Sequence, residues 1–211
     1  MNQPATTTPV VNANNFELNK GDDFIIALDI SGSMQASDCP GGLSRLKYSL
    51  EQFRTFVGEA AKYDTDGVSL YAFGIDVHQF SDVSPEKLEE TVNKLASMRL
   101  ESGTMTDKVI LAAYEEHVAR KNEQTVLMVF TDGEPNDQDA VFKVIADITN
   151  KVKDEREFNI SFLTVGNRSA SLEAFLAKLD DALPGAKYDI VDVKRVEDVN
   201  FYQAFDGALN D

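Results

Sequence analysis

Two stretches of the chain are nearly all apolar, and an aspartate sits at the end of each. Residues 24–30 read Phe-Ile-Ile-Ala-Leu-Asp-Ile, and residues 125–131 read Thr-Val-Leu-Met-Val-Phe-Thr with Asp132 following. A strand with one wet face alternates apolar and polar side chains, whereas an unbroken apolar run is covered on both faces. Strands covered on both faces belong to parallel sheets, whose strands are joined by helical crossovers. This pattern demands helices on either side of a sheet.

The remaining sequence supplies them. Residues 44–61 predict a helix that Ser44 can cap, with Leu46, Leu50, Phe53, Val57 and Ala60 on one face. Residues 68–74 read as a strand, and a turn at Gly74–Asp76 leads into a short edge strand, Val77–Phe80. Ser84 and Pro85 open a helix whose stripe is Leu88, Val92 and Leu95. Helix 105–121 turns Val109, Ala112, Ala113 and Val118 inward; helix 138–154 does so with Val141, Val144, Ile145, Ile148 and Val152. Strand 159–165, helix 170–180, strand 188–192 and helix 198–209 follow, the last docked through Phe201, Phe205 and Leu209. The expected architecture is α/β: a doubly wound, mostly parallel six-stranded sheet with one antiparallel edge strand and helices on both faces.

Residues 1–15 are polar and contain Pro4 and Pro9. Residues 1–20 are accordingly expected to form a flexible arm, an idle tail or a docking segment, and residues 21–211 a single domain. Lys and Arg number 20 against 36 Asp and Glu, a net charge of −16. Phosphate backbones and anionic membranes require a basic surface, so neither nucleic acid nor membrane is an expected partner. No apolar run approaches the roughly 20 residues of a membrane span. The start of the chain lacks the basic and then apolar pattern of a signal peptide. Cys39 is the only cysteine, so no internal disulfide can form. The expected location is the cytoplasm.

In open α/β sheets, ligands bind at the carboxyl ends of strands, near the point where strand order reverses. Asp29 occupies such an end, and Ser31 and Ser33 follow at alternate positions of a Gly-containing turn. Asp132 ends the second apolar strand, and the loop Leu100-Glu-Ser-Gly-Thr104-Met-Thr106-Asp107 lies between them in sequence. Carboxylate and hydroxyl oxygens without nitrogen or sulfur suit hard divalent cations such as Mg2+. Each group also has a plainer reading. The serines can satisfy their own turn, Thr104 can cap the following helix with Asp107 three residues on, and Asp132 can be a turn residue before Gly133.

Asp29-Ile-Ser31-Gly-Ser33, then the loop Thr104, then Asp132 together resemble the von Willebrand factor A domain and its metal-ion-dependent adhesion site. Thr106 is the other threonine that could take the loop position. The likeness runs from about residue 20 to the C-terminus. The segments at Asp132-Gly-Glu-Pro-Asn-Asp, Phe162-Leu-Thr-Val-Gly166-Asn and Ala186-Lys-Tyr-Asp-Ile-Val-Asp resemble intracellular A-domain proteins of bacteria and fungi, some encoded beside tellurite-resistance and stress-response genes. The resemblance implies Mg2+, with Mn2+ or Ca2+ as alternatives, held by Asp29, Ser31, Ser33, Thr104 and Asp132. It implies a partner protein that presents a carboxylate to the ion, and no catalytic residues. It also implies ligand-linked movement of helix 198–209, against a static helix. The chain departs from the pattern at Gln35–Leu43, a loop inserted before the first helix, which would shape access.

Other reactive groups read as structural. Glu101, Glu134 and Asp137 read as solvated rim charges, and Cys39, with only Arg45 basic nearby, as an inert thiol. His78 and His117 lack a ligand partner at useful spacing. A haloacid-dehalogenase-type phosphatase needs a second acid where Ser31 stands, and neither a Gly-x-Ser-x-Gly elbow nor a Gly-rich lysine P-loop is present. A binding module is the expected function, with a phosphatase-like hydrolase or a purely structural metal site as alternatives.

Overall fold

The computed structural model describes residues 23–64, 67–181 and 183–210; the expected arm at 1–20 lies outside them. The strands are β1 (Asp23–Asp29), β2 (Val68–Phe73), β3 (Val77–Val83), β4 (Thr125–Thr131), β5 (Phe158–Thr164) and β6 (Val191–Arg195). The helices are α1 (Arg45–Ala60), α2 (Pro85–Ser97), α3 (Thr106–Arg120), α4 (Gln138–Thr149), α5 (Ala170–Asp181) and α6 (Phe201–Asn210). The sheet order is β3-β2-β1-β4-β5-β6, parallel throughout except for β3. This is the anticipated six-stranded sheet.

Side chains of a strand alternate between faces, and the two core layers follow from that period. Phe24, Ile26 and Leu28 of β1 point to a layer built from α1, α2 and α6, while Ile25 and Ala27 point to one built from α3, α4 and α5. Helix α6 is docked by rings: Phe201 lies 5.4 Å from Phe24 and 5.8 Å from Phe56, and Phe205 lies 5.6 Å from Phe24. A fully buried Phe contributes on the order of 2–3 kcal/mol. No helix among the described residues is long and apolar enough to cross a membrane.

The chain leaves β1 for β2 on one side and later returns to β4 on the other. The order therefore reverses between β1 and β4, which pair with Leu28 beside Phe130. The crevice at this reversal is where Asp29 and Asp132 emerge.

Five local details differ from expectation, the first being that edge strand β3 runs to Val83 rather than Phe80. Helix α4 stops at Thr149 rather than 154, because Asn150 turns its amide back onto the Ala146 and Gly185 carbonyls. Strand β6 starts at Val191 rather than 188: Tyr188 is diverted to the Lys153 carbonyl by its hydroxyl. Helix α6 starts at Phe201 because Asn200 and Gln203 bond reciprocally, side chain to backbone, in the manner of a capping box. Val118 faces solvent, 55% exposed, because the neighbouring His117 turns inward to bond Thr125 at 2.9 Å.

Candidate metal centre

The turn after β1 is held from below by Met34, which is fully buried and anchors the single helical turn Gly32–Gln35. Ser31, extended at φ −67° and ψ 162°, and Ser33 are thereby set over the end of the strand. Ser31 Oγ lies 3.0 Å from Ser33 Oγ, and Ser33 Oγ donates to Asp132 Oδ1 at 2.9 Å. Asp29 sits beneath: its Oδ1 accepts the Ser31 N–H at 2.7 Å and its Oδ2 accepts the Thr131 hydroxyl at 2.7 Å.

Thr104 is tied by its backbone to Asn136 in the loop after β4, and among the described residues no hydrogen bond links it to the serines or aspartates. Its N–H donates to Asn136 Oδ1 at 2.8 Å, and its carbonyl accepts the Asn136 N–H at 3.0 Å. This clip requires Gly103, at φ 84°, since a Cβ there would stand 2.7 Å from Asn136 Nδ2. Met105, not Thr104, occupies the N-cap position of α3, and it makes no side-chain capping bond. The capping alternative for Thr104 is thus set aside.

Arg45, the first residue of α1, enters the site and was not anticipated. Its Nη1 donates to Asp132 Oδ2 at 2.7 Å. Its other edge grips Asp38 of the inserted loop, Nε to Oδ1 at 2.7 Å and Nη2 to Oδ2 at 2.6 Å. Asp38 Oδ2 also accepts the Asn167 N–H at 3.0 Å. Gly166 makes room for this pair, because a Cβ there would fall 2.4 Å from Arg45 Nε. The only sequence signal was the pairing of opposite charges at 38 and 45 across the loop. Thr131 was likewise missed, its signal being a hydroxyl at the end of an apolar strand.

Burial pushes the Asp29 carboxyl from an ordinary 3.8 up to about 6, against hydrogen bonds from Ser31 and Thr131 and with a smaller push from the Asp132 charge. The Arg45 hydrogen bonds hold the Asp38 carboxyl well below its usual range. Of the expected rim charges, Glu101 is tied down, accepting the Asp76 N–H at 3.0 Å and pairing with His78 at 2.7 Å. Asp137 caps α4 through the Ala140 N–H at 2.9 Å, and Glu134 remains exposed. Cys39 is buried and free. His117 is held between Thr125 and Glu157, and burial lowers its pKa.

Among the described residues no three His, Cys, Asp or Glu side chains form a metal cluster. A cation here would depend on hydroxyls. The oxygen spacings along Ser31, Ser33 and Asp132 are 3.0 and 2.9 Å, close to the edge of an octahedron with bonds of about 2.1 Å, which is about 3 Å. The donor set fits Mg2+.

The pattern of the von Willebrand factor type A domain matches residues 23–203, and the chain belongs to that family. Members of the family commonly mediate protein interactions. Solved structures with the same fold include the SpRpn10 VWA domain, at 10% identity and TM-score 0.61, over 88% of this chain and 94% of that one. The PilB minor pilin from Streptococcus sanguinis matches at 10% identity and TM-score 0.65, over 88% and 62%. Manganese-loaded TRAP protein of Plasmodium vivax matches at 11% identity and TM-score 0.59, over 85% and 70%. No curated protein matches the sequence.

Proposed function

We propose that this domain is a metal-dependent protein-binding module. Ser31, Ser33 and Thr104 would hold Mg2+ through hydroxyls, and Asp29 and Asp132 would supply charge, directly or through water. The observation that carries the reading is the chain of close oxygens from Ser31 through Ser33 to Asp132 at the point of strand reversal. One similar fold was solved with manganese, an ion that also takes oxygen ligands. A cation held largely by neutral hydroxyls keeps its electrophilic character, and the chemistry it supplies is a position that accepts an anionic side chain. The partner is accordingly a protein that presents a carboxylate, and the site works by capture rather than turnover.

Calorimetric titration with Mg2+ tests this directly. Asp29→Ala should weaken Mg2+ binding at least about 100-fold, since even outer-shell changes cost 10–100-fold. Partner capture in Mg2+ should be lost with chelator and with Asp29→Ala. A partner set identical under all of these conditions overturns the reading. Chelation that lowers the melting temperature while leaving the partners bound would instead mark a structural ion.

A further inference from the structure

We propose that Arg45 is a resident cation of this site, competing with the divalent ion for Asp132, and that Asp38 is the acceptor on which Arg45 rests when the ion is bound. The inference rests on the metal-binding reading above. Three observations carry it. The Asp132 side chain is fully buried, and Arg45 and Ser33 take its two oxygens. Arg45 is itself only 14% exposed, so its charge acts on Asp132 with little screening by water. Arg45 also has a second, independent hold on Asp38, which Asn167 and the open space at Gly166 keep in place. A guanidinium with two fixed acceptors can release one without being left uncompensated.

The consequence is a site with two charge states of similar balance. Without the divalent ion, Arg45 neutralises Asp132 and the buried carboxylate is not stranded. When the ion binds, it takes over that role and repels the guanidinium, which keeps its two bonds to Asp38. The inserted loop Gln35–Leu43 thus sets metal affinity through Asp38, in addition to forming a rim. Removing the charge of Arg45 and removing that of Asp38 should move metal affinity in opposite directions, which general damage to the fold would not do.

The experiment is calorimetric titration of the full chain with Mg2+ alone, for wild type, Arg45→Gln and Asp38→Asn, with melting temperatures taken with and without Mg2+. Loss of a like charge beside the ion should tighten Mg2+ binding at least about tenfold in Arg45→Gln, and loss of the resting acceptor should weaken it about fivefold in Asp38→Asn. Arg45→Gln should melt below wild type without metal and recover with Mg2+. If wild type binds Mg2+ but Arg45→Gln binds equally or more weakly, Arg45 is not a competitor and the proposal falls alone. If none of the three proteins binds Mg2+, the proposal falls together with the metal reading.

Discussion

Glu116 and Asp132 lie towards opposite ends of the sheet, and each is paired with an arginine. Glu116 accepts four donors, two on each oxygen: Ser69 at 2.6 Å and Arg120 at 2.8 Å on one, Tyr71 at 2.6 Å and Gln79 at 3.0 Å on the other. Every lone pair pointing inward there has a proton. At the other end Asp38 and Asp132 share one guanidinium, with Asp29 and the hydroxyls of Ser31 and Ser33 beside them. Hydroxyls can turn their oxygens toward a cation as readily as their protons toward a carboxylate. One cluster is closed by its own donors. The other sets three carboxyl groups against one guanidinium.

The largest expected effect tests the closed cluster. Glu116→Ala leaves the Tyr71 hydroxyl buried and removes a close partner of Arg120, and should cost about 3 kcal/mol in chemical denaturation. The two ends are far enough apart for their effects to be independent, so Mg2+ affinity should stay within about twofold. A parallel loss of Mg2+ binding would break the division between the two ends.

The second effect is a pH dependence at the open cluster. The folded Asp29 carboxyl titrates near 6 rather than 3.8, because burial disfavours its charge. The folded state therefore holds this proton more tightly than the unfolded chain. In metal-free protein its contribution to stability is fully present below pH 3.8 and is lost as pH rises through about 6. Mg2+ has the opposite preference, because it needs the carboxylate. Its affinity should fall about tenfold per unit below pH 6 and level off above it. Titrations at several pH values check this, and a flat profile between pH 5 and pH 7 would remove Asp29 from the ion's surroundings.

The contrast between the two ends was partly legible in the sequence. Apolar runs gave the central strands, because complete burial leaves no polar alternation to misread. Asp29, Ser31, Ser33 and Asp132 were visible because strand ends at a reversal of order converge by topology. Arg45 was not visible: from the sequence it is simply the residue after a helix cap. Its role arises only when the inserted loop folds back and places Asp38 beside Gly166 and Asn167. The inward turn of His117 was hidden for a similar reason, since apolar periodicity favoured Val118 and only a tertiary bond to Thr125 reverses that. The shift of β6 likewise depends on a bond from Tyr188 to Lys153, 35 residues away in sequence.

The smallest expected effect decides how the open cluster is completed. Thr104 is held by its backbone through Asn136, and its hydroxyl does not cap α3. Thr104→Ala should leave stability within about 0.5 kcal/mol, as no buried bond or cap is lost. A neutral oxygen ligand contributes on the scale of one hydrogen bond, about 1 kcal/mol, so Mg2+ affinity should fall about fivefold. Thr106, buried in the first turn of α3, is the control. Thr106→Ala should not change Mg2+ affinity if Thr104 supplies the hydroxyl. The reverse pattern would move the loop ligand two residues along, and the open cluster would then reach into the helix rather than stop at the loop clipped by Asn136.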